Sequence, residues 1–162
     1  MAYLLDADVF IEAKNLYYAF DFCPAFWDWL VQQNAAGKVF SIQRVGEKID
    51  ALEDELSEWA KQRGAGFFLP SDTAVFGSLL AVSAWVANQS YEASAVSAFL
   101  QAADYYLVAQ AHAAHHIVVT HEARSASERK ITVPDVCRGL GVRCVTPFEM
   151  LRNERARFVL RR

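Results

Sequence analysis

Cysteine is scarce in this 162-residue chain. Cys23, Cys137 and Cys144 are an odd set with no CxxC pair. That excludes a disulfide framework and favours a reducing cytoplasm. Proline and glycine are also few, four and seven, which excludes collagen-like or linker material. No basic leader opens the chain: MAYLLDADVFI puts acids at positions 6 and 8, unlike a signal peptide. No segment reads as a membrane span. Thr73 to Tyr91 carries no charge for 19 positions, but Ser78, Ser83, Asn88, Gln89 and Ser90 interrupt it, and it reads as a buried helix.

What is present points to a folded domain. A chain that is 54% hydrophobic and 22% charged is not intrinsically disordered, and 26 alanines favour helices. At this length residues 1–162 form one domain, which buries on the order of 70% of its unfolded surface without staples. Charge is uneven. From Arg124 to Arg162 ten basic residues face four acids, a net of +6, so the other 123 residues sum to −9. This describes either an ordinary basic surface or a patch for a polyanion near an acidic site.

Short apolar runs alternate with helical patterns. Tyr3–Leu5, Val39–Phe40, Ile117–Thr120 and Val142–Val145 read as strands. Between them lie a short turn from Val9 to Lys14 and a helix from Pro24 to Gly37. A third follows Ser41, with an apolar stripe at Ile42, Val45, Ile49, Leu52, Leu56 and Trp59. Further helices start at Ser71 or Asp72, near Ala95 with a break near Ala103, at Pro134 and at Pro147. This order predicts an α/β protein with a mainly parallel sheet, whose sites lie beyond the carboxyl ends of the strands. The aromatics Tyr17, Tyr18, Phe20, Phe22, Phe26, Trp27 and Trp29 read as core or as a dimer seam ahead of base stacking.

Four acids fall at strand ends or helix starts. Asp6 ends the first strand. Glu47 follows the second by one to two helical turns, Asp104 begins a helix, and Glu122 lies two residues past Thr120. Clustered carboxylates repel one another unless a cation compensates, and Mg²⁺ or Mn²⁺ does so with oxygen ligands. Singly, each acid also has a plain structural reading. Asp6 can turn the chain, Asp8 and Asp104 can cap helices, and Glu122 can be a loop acid. Glu47 shares an acidic outer face with Asp50, Asp54 and Glu58.

Taken in order, YLLDADVFI, FSIQRVGEKI, ADYYLVAQAHA and IVVTHE resemble the PIN domain family along essentially the whole chain. Asp6, Glu47, Asp104 and Glu122 fall on the family's acidic positions, and Thr120 on its threonine. The tail VPDVCRGLGVRCVTPFEML is similar to small bacterial PIN-like ribonuclease toxins of the VapC type. Asp8 stands where Asn is common, Glu122 where Asp is usual, and Asp135 is a further acid nearby. The resemblance implies a PIN-like three-layer α/β/α sandwich and a Mg²⁺- or Mn²⁺-dependent endoribonuclease. It also implies a cognate antitoxin that blocks the site, and a homodimer. Asp6, Asp104 and Glu122 would hold the metal, Glu47 would complete the site, and arginines of the basic tail would contact the RNA.

Two other classes fit parts of the chain. A PIN fold that only binds a partner would retain the architecture without the cation. LLDADVF also fits the DxDx[TV] start of haloacid-dehalogenase-like phosphatases, yet no acidic pair follows Lys130, as that class requires. His112 and His116 are four apart, as zinc ligands can be on a helix, but no HExxH accompanies them.

Overall fold

A computed structural model describes residues 1–160. Arg161 and Arg162, the last two charges of the basic tail, lie outside the described residues. Five strands form one parallel sheet in the order β3-β2-β1-β4-β5. They are β1 (Tyr3–Leu5), β2 (Val39–Ile42), β3 (Phe68–Leu69), β4 (Ile117–Val119) and β5 (Cys144–Val145). Every residue of β1 and β4 is buried, as expected of central strands covered on both faces. The helices flank the sheet as a three-layer α/β/α sandwich.

The chain runs from β1 outward to β2 and β3, then crosses to the other side of β1 for β4 and β5. The order therefore reverses between β1 and β4, the switch point at which open α/β sheets leave a crevice. Register fixes what meets there. Leu5 pairs with Val119, and Asp6 donates its backbone N–H to Val119 O at 2.9 Å. The residues just beyond both strands, Asp6 and Thr120, are thus side by side.

Helices α1 (Ala7–Glu12) and α2 (Pro24–Ala35) follow β1, with a π-helical turn, Ala13–Tyr17, continuing α1. Pro24 begins α2, which buries Phe26, Trp27, Trp29 and Leu30. Gly37, at φ +76°, supplies the left-handed turn before β2.

The single helix expected from Ile42 to Trp59 is two. α3 (Gln43–Asp50) ends in a turn where Glu53 has φ +50°, and α4 (Glu55–Lys61) then starts on an Asp54–Ser57 capping box. The regular stripe hides the break because Val45, Ile49 and Leu56 still reach the same core, while Leu52 in the turn is exposed. Ser41 does not cap α3. It lies within β2, and its hydroxyl donates to Leu5 O at 2.6 Å. Strand β3 was not anticipated, being only two residues long.

α5 (Thr73–Ala87) begins on the Asp72 side chain as expected. It is not buried all round: Phe76 and Leu80 are exposed, and its lack of charge reflects both faces. No helix among the described residues is long and apolar enough to cross a membrane. α6 (Ala93–Gln101) and α7 (Ala103–Ala114) are separated at Ala102, whose ψ of 156° is extended. α8 (Val133–Leu140) stops at Gly141, and α9 (Pro147–Asn153) starts on a Thr146–Glu149 capping box. Trp85 of α5 lies against Gly139 of α8, where an added Cβ would come within 2.0 Å of the indole. α5 also packs on α7, which carries Asp104.

Candidate metal centre

Three of the four acids expected at the site converge. Asp6, Asp104 and Glu122 each offer a carboxylate oxygen, and these oxygens all lie within 4.8 Å of one another. They come from three elements: the end of β1, the second residue of α7 and the loop after β4. The strand register brings Asp6 and the loop together. α7 adds Asp104, and a cation–π contact of 3.7 Å from Arg44 to Tyr106 ties its first turn to α3.

Asp6 is buried to 3% exposure and also caps α1, accepting from Ala7 N at 2.7 Å. The cap is thus Asp6 and not Asp8. Asp8 instead accepts from His121 N at 3.2 and 3.1 Å through its two oxygens. The Thr120 hydroxyl lies 2.9 Å from Asp6 Oδ2 and 3.0 Å from Asp8 Oδ2, and it accepts from Glu122 N at 3.1 Å. A hydroxyl carries one proton, so it satisfies one of the two carboxylates at a time. Glu122 Oε2 accepts from Val133 N at 3.0 Å, the first N–H of α8, which fixes the end of the longer side chain.

Burial is the largest influence on each carboxyl. It pushes Asp6 well above the ordinary carboxylate range, and the charges of Asp104 and Asp8 push the same way. Asp8 is raised by burial despite its hydrogen bonds from His121 and Thr120. Asp104 and Glu122 are raised by burial too, opposed at both by the ammonium groups of Lys48 and Lys130. Without a cation, this cluster holds protons that ordinary carboxylates would release.

Glu47 does not join the group. It is exposed on α3, where Gln43 Nε2 donates to it at 3.4 Å. It sits at the rim of a groove shared with Ser57, Ala60 and Lys61 of α4. Asp135 is also elsewhere, holding the loop before α8 through Thr132 Oγ1 at 2.6 Å, Ser125 N at 3.0 Å and Arg124 Nε at 3.2 Å. His112 and His116 face other partners, Ser78 Oγ at 2.7 Å and Ala2 N at 3.3 Å.

A groove of about 430 Å³ runs from Thr120 and Glu122 along α8 and the start of α9, lined also by Arg124, Arg138 and Glu149. Not all of the basic tail gathers here. Arg143 precedes β5 and lines a cavity with His112, His115 and His116 at the amino ends of β1, β4 and β5.

Sequence reasoning found the triad but missed its surroundings. Lys48 gave no signal, because a lone lysine on a helix looks like any surface residue, and Lys130 entered only through the phosphatase pattern. The bridging of Asp8 to His121 needed the register of β1 and β4.

No curated protein and no solved structure gives a significant match to the chain. A family model described as a domain of unknown function, DUF4411, matches residues 3–158. The chain belongs to that family.

Proposed function

We propose that the protein is a PIN-like endoribonuclease dependent on Mg²⁺ or Mn²⁺, acting as the toxin of a toxin–antitoxin pair. The observation that carries this reading is the meeting of Asp6, Asp104 and Glu122 within 4.8 Å, at the switch point of a parallel sheet. The PIN-like order of these acids along the chain adds to it.

The donor set suits a hard divalent cation, since all three ligands are carboxylate oxygens. Buried Asp6 and half-buried Asp8 share one hydroxyl, and positive charge between Asp6, Asp104 and Glu122 would let all three ionise. A bound Mg²⁺ or Mn²⁺ supplies charge to offset that developing on a phosphodiester and makes water a stronger nucleophile near neutral pH.

The protein's own groups do the rest. Asp6 is held from two sides, by Ala7 N and the Thr120 hydroxyl. Asp104 and Glu122 close the site from α7 and the β4 loop. Lys48 and Lys130, whose charge is felt at both acids, would on this reading contact the phosphate backbone. Arg138 in the adjoining groove offers a further phosphate contact. Attack by water on phosphorus, with the P–O3′ bond breaking, leaves a 3′-hydroxyl and a 5′-phosphate. Glu47, exposed on α3 and outside the cluster, would act on substrate approach. On this reading an antitoxin covers the acidic edge, the toxin acts in the cytoplasm, and two copies form a homodimer.

The test is incubation of the protein with total RNA in Mn²⁺ or in EDTA, followed by mapping of the ends. Cleavage in Mn²⁺ alone, with 5′-phosphate ends, supports the reading. Cleavage that persists in EDTA, or equal cleavage by Asp6→Asn at matched purity, overturns it.

A further inference from the structure

We propose that Tyr17, backed by His121 and Phe148, is a stacking platform for one unpaired nucleobase beside the acidic cluster. The inference deepens the ribonuclease reading and rests on it for the identity of the polymer. Tyr17 ends the π-helical turn after α1, a departure from regular helix of the kind found at functional sites. Its ring stacks on His121 at 5.4 Å between centroids, with only 20° between planes. Phe148, at the start of α9, meets Tyr17 edge-on at 5.1 Å and His121 at 5.6 Å.

This stack is fastened to the site. His121 N donates to Asp8, and the next residue is Glu122. Lys14, in the same π-helical turn, pairs with Asp54 at 3.1 Å, which anchors the turn from the α4 side. Yet Tyr17 remains 40% exposed, and its neighbour Leu16 is 60% exposed. Of the other aromatics of this region, Phe26, Trp27 and Trp29 are buried, Tyr18 and Phe20 are half-buried, and Phe22 is 66% exposed. A rigid, backed and solvent-facing aromatic ring next to a phosphate-handling site presents the surface on which a base stacks, whatever its sequence. Bases inside a duplex keep their faces covered, so the platform accepts only unpaired ones. The site should therefore prefer single-stranded RNA and place one nucleotide next to the scissile phosphate.

The plain alternative is that these rings only pin the π-helical turn onto α9. A short RNA bearing 2-aminopurine, bound with Ca²⁺ in place of Mn²⁺, separates the two. The probe's fluorescence should be quenched at one position of the RNA by the wild type and by Tyr17→Phe, but not by Tyr17→Leu or Phe148→Leu. In Mn²⁺, an abasic nucleotide at that position should raise KM about tenfold for the wild type and leave KM of Tyr17→Leu unchanged. Urea midpoints select whichever leucine variant retains the fold. Equal quenching by the wild type and that variant, or an equal abasic penalty in both, overturns the platform. Cleavage with equal quenching removes the platform and leaves the nuclease. Tyr17-dependent quenching without cleavage supports the platform and removes the nuclease.

Discussion

Thr120 Oγ1 lies 2.9 Å from Asp6 Oδ2, joining the carboxyl ends of the two strands between which the strand order reverses. The same hydroxyl lies 3.0 Å from Asp8 and accepts the N–H of Glu122. One side chain thus orders three acids. Thr120→Val should lower stability by about 1–3 kcal/mol, the cost of leaving a buried polar group unpaired. It should also weaken Mn²⁺ binding, because Asp6 loses the partner that fixes it. Thr120→Ser should restore both. Urea denaturation and calorimetric titration measure the two effects.

The raised carboxyls give the metal-free protein a distinctive pH dependence. Asp6, Asp8, Asp104 and Glu122 are all raised in the folded state. Between their ordinary values, 3.8 for Asp and 4.5 for Glu, and their folded ones, the native state binds more protons than the unfolded chain. The stability they contribute is complete below the ordinary values and is lost as pH rises through the folded ones. Asp54, Asp135 and Glu154 are lowered and act oppositely, losing their contribution as pH falls. In EDTA, Asp6→Asn should therefore be more stable than the wild type at pH 7–8, and this advantage should shrink toward pH 4. Thermal melts of both proteins across that range measure it. An advantage independent of pH would contradict the account.

Glu47 and the triad should separate in metal binding. Glu47 is exposed and outside the cluster, so Glu47→Gln should change Mn²⁺ affinity by about twofold or less. Asp104→Asn and Glu122→Gln should each cost about tenfold or more, as expected for groups at or next to the metal. Calorimetric titration ranks the three variants. A loss in Glu47→Gln as large as that in Asp104→Asn would place Glu47 at the metal after all.

Gly139 should tolerate no side chain. An alanine there puts its Cβ 2.0 Å from the Trp85 indole, so the indole or the two helices must shift. Gly139→Ala should destabilise by about 1–3 kcal/mol, the usual range for overpacking, and Trp85→Leu should recover part of it. α8 also supplies the Val133 N–H that fixes the end of Glu122, so the same variant should weaken Mn²⁺ binding. Urea unfolding of the two single variants and the double variant tests the coupling.

Much of the fold was legible because its strongest signals are local. The β-branched run Ile117–Val119, Pro24, Pro147 and Gly141 each mark an element boundary or a buried strand without help from distant residues. The break between α3 and α4 was not, because Asp54 and Ser57 form a cap inside a stripe whose apolar spacing never falters. Ser41 showed the same limit, since its bond to Leu5 O depends on strand pairing. At the site, Asp6, Asp104 and Glu122 were legible as strand-end and helix-start acids. Glu47 was placed with them by order along the chain, but its carboxylate stays on the outer face of α3, where its spacing with Asp50 and Asp54 had also put it. The Tyr17 stack was illegible because its partners, His121 and Phe148, come from more than a hundred residues away.

The most direct measurement is titration of Mn²⁺ into the metal-free protein by calorimetry, with Asp6→Asn alongside. The account predicts saturable binding to the wild type, accompanied by proton release from the raised carboxyls, and loss of that binding in a variant whose urea unfolding shows it folded. No binding to the wild type, or undiminished binding to Asp6→Asn, would contradict it.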